Sequence, residues 1–189
     1  MARWWGLRFI GRRPERGEVR EFIIRRMPRG GVAAEIGVDQ GLLSERILEL
    51  ARPRKLYLID PWFPDPSGTR VPSREERFAM VCKKFAAEAD RGVVEIIRES
   101  SETAAARFAD QSLDWVYIDG NHHYEFVKRD LELYFPKVKR GGFIVCDDYH
   151  FVGTFNDGVT RAVDEFMTLG KCRKVFKRRS QFVMRKRAE

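Results

Sequence analysis

The sequence predicts an α/β fold: a seven-stranded, mostly parallel sheet with helices on both faces and an antiparallel hairpin at its C-terminal edge. Three observations point there. Short β-rich runs alternate with helical stretches along most of the 189 residues, the pattern of a parallel sheet crossed by helices. Four of those runs end on Gly37, Asp60, Asp119 and Asp147, and open parallel sheets bind ligands beyond the carboxyl ends of their strands. The last two runs, about 172 to 178 and 181 to 185, lie close enough to pair with each other. The length suits one domain, 1–189, with 1–30 as an N-terminal extension and first helix and 31–189 as the core.

The elements follow in order. Glu18 to Met27 reads as a helix, stopped by Pro28 and the Gly30-Gly31 pair. Val32 to Gly37 is the first strand and Leu42 to Ala51 a helix ending before Pro53. Lys55 to Asp60 is the second strand. Residues 61 to 73 hold four prolines and one glycine, so they are a loop placed to cover a site. Arg74 to Ala89 is a helix, Val93 to Arg98 the third strand and Ser101 to Phe108 a short helix. Leu113 to Asp119 is the fourth strand. A helix from Tyr124 to Tyr134 is stopped by Pro136. Phe143 to Asp147 is the fifth strand, entered through a Gly141-Gly142 turn, and Val159 to Leu169 is the last helix.

Composition narrows the class. Apolar residues make up 43% and charged residues 34%, which fits a soluble globular chain. No apolar run approaches the roughly 20 residues of a membrane span. The N-terminal apolar stretch is interrupted by Arg8, Arg12 and Arg13, unlike a signal peptide, so the expected location is cytoplasmic. Cys82, Cys146 and Cys172 are isolated and suggest neither a disulfide framework nor a zinc site. The net charge of +8 is concentrated at the ends, with nine Lys or Arg against one acid over 171–189 and nine Arg against three acids over 1–29. Such ends suit nucleic acid. The basic tail, however, alternates with Val175, Phe176, Phe182 and Met184, as a strand with one buried face does.

The segment Glu35-Ile36-Gly37-Val38-Asp39-Gln40-Gly41 leaves a strand and opens a helix. Its glycines permit a tight turn and close approach to a ligand. The Gly-x-x-x-Gly spacing lacks the middle glycine of the dinucleotide fingerprint. It resembles motif one of class I S-adenosylmethionine (SAM) methyltransferases, which are Rossmann-like. That resemblance implies a cofactor along Gly37, Val38 and Gly41, with Glu35 near its methionyl amino group. Asp60 ends the next strand about twenty residues on, where an acid accepts hydrogen bonds from ribose hydroxyls. Trp62 and Phe63 follow as adenine-lining candidates or as core residues. Ser100 and Ser101, with Glu99, stand where this class reads adenine, and Ser101 is equally readable as a helix N-cap.

The most specific stretch is Trp115-Val116-Tyr117-Ile118-Asp119-Gly120-Asn121-His122-His123-Tyr124, followed by Arg129-Asp130-Leu131, Gly141-Gly142 and Cys146-Asp147-Asp148-Tyr149-His150. It resembles bacterial methyltransferases with an Asp-Gly-x-His-x-Tyr and Asp-Asp-Tyr pattern, including magnesium-dependent sugar O-methyltransferases of macrolide biosynthesis. The small, arginine-rich chain also suits enzymes of the mycobacterial methylmannose-oligosaccharide type. The resemblance covers about 32 to 150.

It implies a metal on Asp119, Asp147 and Asp148, whose oxygens suit Mg²⁺ or Mn²⁺. It implies His122 as the base that deprotonates an acceptor hydroxyl, with Asp119 beside it. Tyr149 and His150 are candidates for the acceptor pocket. The acceptor is then a small molecule or oligosaccharide. Other classes stay open: a catechol-type enzyme with the same metal logic, an RNA methyltransferase using the basic ends, or a SAM-binding protein without turnover. The missing Asn-Pro-Pro-Tyr motif argues against base N-methylation. Trp4 and Trp5 suit a site cap, a homodimer contact or packing on their own domain.

Overall fold

The structure is a computed structural model that describes residues 15–64, 71–150 and 156–188; Trp4 and Trp5 lie outside them. Its elements run α1 (Arg16–Ile24), β1 (Val32–Ile36), α2 (Leu42–Leu50), β2 (Lys55–Ile59), α3 (Arg74–Lys84), α4 (Ala86–Asp90), β3 (Val94–Ile97), α5 (Ser101–Ala105), β4 (Leu113–Ile118), α6 (Tyr124–Lys137), β5 (Val138–Cys146), α7 (Gly158–Thr168), β6 (Cys172–Arg178) and β7 (Gln181–Lys186). The sheet order is β3-β2-β1-β4-β5-β7-β6. β1 to β5 are parallel, and β7 and β6 close the edge antiparallel. The chain winds outward from β1 one way and from β4 the other, so a crevice opens between their carboxyl ends. Among the described residues, no helix is long and apolar enough to cross a membrane.

Both sheet faces are buried, as the near-continuous apolar strands demand. Ala33, Leu56, Leu58, Trp115, Tyr117 and Val145 pack with Val19, Phe22 and Ile23 of α1, Ile47 of α2 and Val81 of α3. The alternate positions Ala34, Ile36, Val116, Ile118 and Ile144 pack with Val127 and Leu131 of α6 and Val163 of α7. The period of two in the strands thus meets a helix stripe on each side.

Several boundaries differ from the sequence expectation, each for a local reason. α1 starts earlier, because Glu15 and Glu18 form a capping box whose Glu18 carboxylate accepts from the Glu15 amide at 2.8 Å. The expected 74–89 helix is broken at Phe85, whose ring is buried against Gly41. Pro136 lies inside α6 rather than beyond it. Its missing N–H falls in the final turn, and Lys186 Nζ caps that end by donating to the carbonyls of Phe135 and Val138 at 2.9 and 2.8 Å. Gly141 and Gly142 sit within β5 at a register shift instead of forming a turn before it. A Cβ on Gly142 would fall 2.6 Å from the Asp114 carbonyl oxygen, so this irregularity needs glycine.

Candidate active site

A cavity of about 900 Å³ opens over the carboxyl ends of β1, β2 and β4. That is large for a small-molecule site, where roughly 300–1,000 Å³ is usual. On one side the wall includes Glu35, Gly37, Val38 and Asp60, and on the other Asp119, His122 and Asp148.

The glycine side begins at Glu35, fully buried near the end of β1. Its Oε2 accepts from Ser44 Oγ at 2.6 Å, and its Oε1 has no hydrogen-bond partner among the described residues. Burial pushes this carboxyl up to about 8, because a charge without water or counter-ion is costly. Gly37 has φ +87°, and a Cβ there would lie 2.2 Å from the Asp119 carbonyl oxygen. The loop therefore crosses the end of β4 too closely for a side chain. Gly41 is the left-handed N-cap of α2.

Asp60 holds this loop in place. Its Oδ2 accepts from the Val38 and Asp39 amides at 3.0 Å each, and its Oδ1 from the Trp62 amide at 2.8 Å. A carboxylate has about four acceptor sites, so capacity for a ribose hydroxyl remains. Trp62 corrects the adenine-lining expectation. It is 1% exposed and packs in the core, with its indole N–H donating to the Asp39 carbonyl at 2.9 Å. Positive φ at Trp62 turns the chain here, and burying the indole in the core wins over presenting it to a ligand. Phe63 lines the cavity instead and is 66% exposed.

Ser100 and Ser101 both face the cavity. Ser100, not Ser101, caps α5, its Oγ accepting from the Thr103 amide at 3.1 Å. Asp130, to which the motif pattern assigns no role, lines the same wall, buried and hydrogen-bonded to Ser101, and burial pushes its carboxyl up to about 6. A signal was present: Val127, Asp130, Leu131 and Tyr134 share the buried face of α6, and an acid on an apolar stripe is there for a reason. Asp39, in the glycine loop, has φ +52°. It accepts from Arg74 at 3.1 Å and from Arg77.

On the β4–β5 side His122 stands between two carboxylates. Its Nε2 lies 3.1 Å from Asp148 Oδ2 and 3.4 Å from Asp119 Oδ1. One atom each of Asp119, His122 and Asp148 falls within 4.8 Å of the others. Asp147 does not join them, which corrects the three-aspartate metal set. Its side chain is buried, Oδ1 accepts from the Asp148 amide at 2.8 Å and from Gln181, and Oδ2 is held by Arg20 and, at 3.0 Å, Arg16. These arginines come from α1, which local spacing around the acids does not reveal.

The two acceptor-pocket candidates lie away from the described cavity wall. Tyr149 is buried against Phe182 and donates to Asp164 Oδ1 at 2.7 Å. His150, with φ +66°, is exposed, and its amide donates to Thr160 Oγ1 at 2.8 Å. The left-handed backbone at Asp148 and His150 sends Tyr149 inward to the larger apolar burial.

A parallel sheet with a reversal point, a glycine loop at β1 and an acid at the end of β2 define a doubly wound α/β protein built for an adenosine-type ligand. The chain belongs to the methyltransferase domain family, whose model matches residues 34–149. An uncharacterized protein of Acanthamoeba polyphaga mimivirus is 30% identical over 118 residues, covering 61% of this chain. The chain spans 50% of that curated relative's length. Among solved structures, a Corynebacterium glutamicum protein superposes with TM-score 0.67 at 17% identity, covering 94% of this chain and 84% of that one. A Streptococcus mutans protein described as a methyltransferase, solved with S-adenosylhomocysteine, gives 0.64 at 10% identity over 92% and 98%. The O-methyltransferase NovP gives 0.57 at 20% identity over 89% and 79%.

Proposed function

We propose that this chain transfers the methyl group of SAM to a hydroxyl oxygen of a sugar, oligosaccharide or other small polyol. One observation carries the reading: a buried carboxylate oxygen on Glu35 that has no partner among the described residues, and an imidazole set between two carboxylates, His122, open onto one cavity. Bound there, SAM supplies a methyl carbon made electrophilic by its sulfonium. Glu35 offers Oε1 to the cofactor's ammonium group, and the charge gained offsets the burial that now holds this carboxyl protonated. Asp60 fixes the loop amides and keeps acceptor capacity for the ribose, while Ser100, Ser101 and Asp130 form the wall for the base.

His122 then takes the proton of the acceptor hydroxyl. Asp119 and Asp148 stabilise the imidazolium that results, since both carboxylates face Nε2. The freed oxygen pair attacks the methyl carbon, the carbon–sulfur bond breaks, and its electron pair stays on sulfur. Reacting atoms held about 3–3.5 Å apart supply much of the acceleration. Mg²⁺ or Mn²⁺, implied by the sequence resemblance, would be held by Asp119 and Asp148, with His122 Nε2 in reach as a third donor, and would supply a Lewis acid that makes the hydroxyl more acidic; the proton then goes to His122 Nδ1, the ring nitrogen that does not face the two carboxylates. NovP, similar in fold, is named an O-methyltransferase, which agrees with oxygen as the acceptor atom. The test is a screen of sugars, polyols and catechols with SAM, read by product mass for one added methyl. Methylation of a polyol is the expected result; turnover on catechols alone would replace the substrate class.

A further inference from the structure

The rim acids already share their oxygens between two kinds of partner. Asp119 gives Oδ2 to Arg20 at 2.8 Å, Asp148 gives Oδ1 to Arg16 at 2.9 Å, and Asp147 is shared by both guanidinium groups. The other oxygens of Asp119 and Asp148 face His122. Among the described residues, three carboxylates meet two guanidinium groups here, an excess of one negative charge. A divalent ion at Asp119, His122 and Asp148 therefore meets two fixed positive charges close by, and the guanidinium on Asp148 Oδ1 draws electron density from the very carboxylate that the ion needs.

The two arginines are not equally held. Arg20 lies a turn into α1, its side chain 23% exposed, and joins two acids that anchor β4 and β5. Arg16 is the first residue of α1 and its side chain is 46% exposed against buried carboxylates on Asp147 and Asp148, so of the two guanidinium groups it is the one that water already reaches. Its guanidinium can leave into water without breaking the buried pairing of Asp147 with Arg20 and Gln181.

We infer that Arg16 and a divalent cation compete for Asp148, so that the start of helix α1 gates cation entry to the rim. The inference rests on the proposed function only in taking a divalent ion as a partner of these residues. Mn²⁺ is the suitable probe, since it accepts both carboxylate oxygen and imidazole nitrogen.

The experiment titrates Mn²⁺ into the full chain and reads free Mn²⁺ by electron paramagnetic resonance, for wild type, Arg16→Gln, Arg16→Lys and Asp148→Asn. Arg16→Gln is expected to bind Mn²⁺ about tenfold tighter than wild type. Arg16→Lys keeps the charge and should stay near wild type, which separates loss of charge from any general loosening of α1. Asp148→Asn should lose the binding. Amide hydrogen exchange over 16–24 supplies a second readout: Mn²⁺ should speed it in wild type and leave it unchanged in Arg16→Gln. Equal Mn²⁺ affinity in wild type and Arg16→Gln, or no Mn²⁺ bound by any of the four proteins, overturns the proposal. SAM affinity is measured calorimetrically on the same samples. Its loss in all of them would remove the methyltransferase reading while leaving the competition judged by Mn²⁺ alone.

Discussion

The cavity has two acidic walls, and they treat their carboxylates in opposite ways. On the β1–β2 side Glu35 is buried with one oxygen unpartnered, and Asp60 is held by three backbone amides; no guanidinium touches either among the described hydrogen bonds and ion pairs. On the β4–β5 side Asp119, Asp147 and Asp148 are each paired to an arginine of α1. Carboxylates near the ends of neighbouring strands thus meet two kinds of environment. An acid without a counter-ion gains most from a cation brought by a ligand, whereas an acid already paired serves better to orient a neighbour. The first wall suits the ammonium and ribose of a cofactor, and the second suits the imidazole that it surrounds.

The comparison breaks most sharply at His122. His122→Gln should lower kcat by about 10²–10⁴-fold, the usual contribution of a general base. SAM affinity should stay within about twofold of wild type, because the change lies on the second wall. Stopped-time assays with the screened acceptor, paired with calorimetry for SAM, separate the two effects. Near-normal kcat would take His122 out of the chemistry.

Gly37→Ala comes next, where the walls touch. The new Cβ would meet the Asp119 carbonyl oxygen at 2.2 Å on a backbone with φ +87°. The expected cost is about 3 kcal/mol, or roughly 6–12 °C in Tm for a domain of this size, with SAM binding lost as the loop shifts. An unchanged Tm by calorimetry would show that the loop does not press on β4 as described.

How far these walls were legible in the sequence follows from the range of the interactions. Strand ends and their acids follow from local patterns, apolar runs closed by glycine or aspartate, so the sheet and its hairpin edge were readable. The α6 stripe, with Asp130 among Val127, Leu131 and Tyr134, makes that acid readable too. Arg20 lies 99 residues from Asp119 and 127 from Asp147, and no local spacing announces a pairing across that separation. The choice between site and core for Trp62, and the inward turn of Tyr149, are not legible locally, because positive φ at Trp62, and at Asp148 and His150 around Tyr149, decides which way a ring turns. Those values depend on what the surrounding core will accept.

Glu35→Gln sharpens the first wall, because its two expected effects have opposite signs. SAM affinity should fall by about 10–100-fold, the scale of a lost charge-assisted hydrogen bond of roughly 1.5–3 kcal/mol. Stability without SAM should rise at pH 8, since the amide keeps the bond from Ser44 and removes a carboxyl that burial disfavours in its charged form. A fall in both quantities would mean that Glu35 is structural rather than set aside for a cation.

The smallest effect is the pH slope, and its sign is settled by linkage. Glu35 and Asp130 are both raised on folding, to about 8 and about 6, so between about pH 4 and those values the folded chain holds protons that the unfolded chain has released. Their contribution to stability therefore falls as pH rises through that window and levels off above pH 8. From pH 6 to 8 most of this loss belongs to Glu35, and wild-type Tm should drop more than that of Glu35→Gln by about 2–4 °C per kcal/mol of difference. SAM reverses the preference. At pH 6.5 an α-amino group, with pKa about 7.7–8.0, is an ammonium, and its pairing with Glu35 requires the carboxyl to ionise. Binding should then release close to one proton, seen as a buffer-dependent calorimetric enthalpy in wild type and absent in Glu35→Gln. Proton release of equal size in both proteins would assign it elsewhere, and would leave the first wall's acid no different in kind from those of the second.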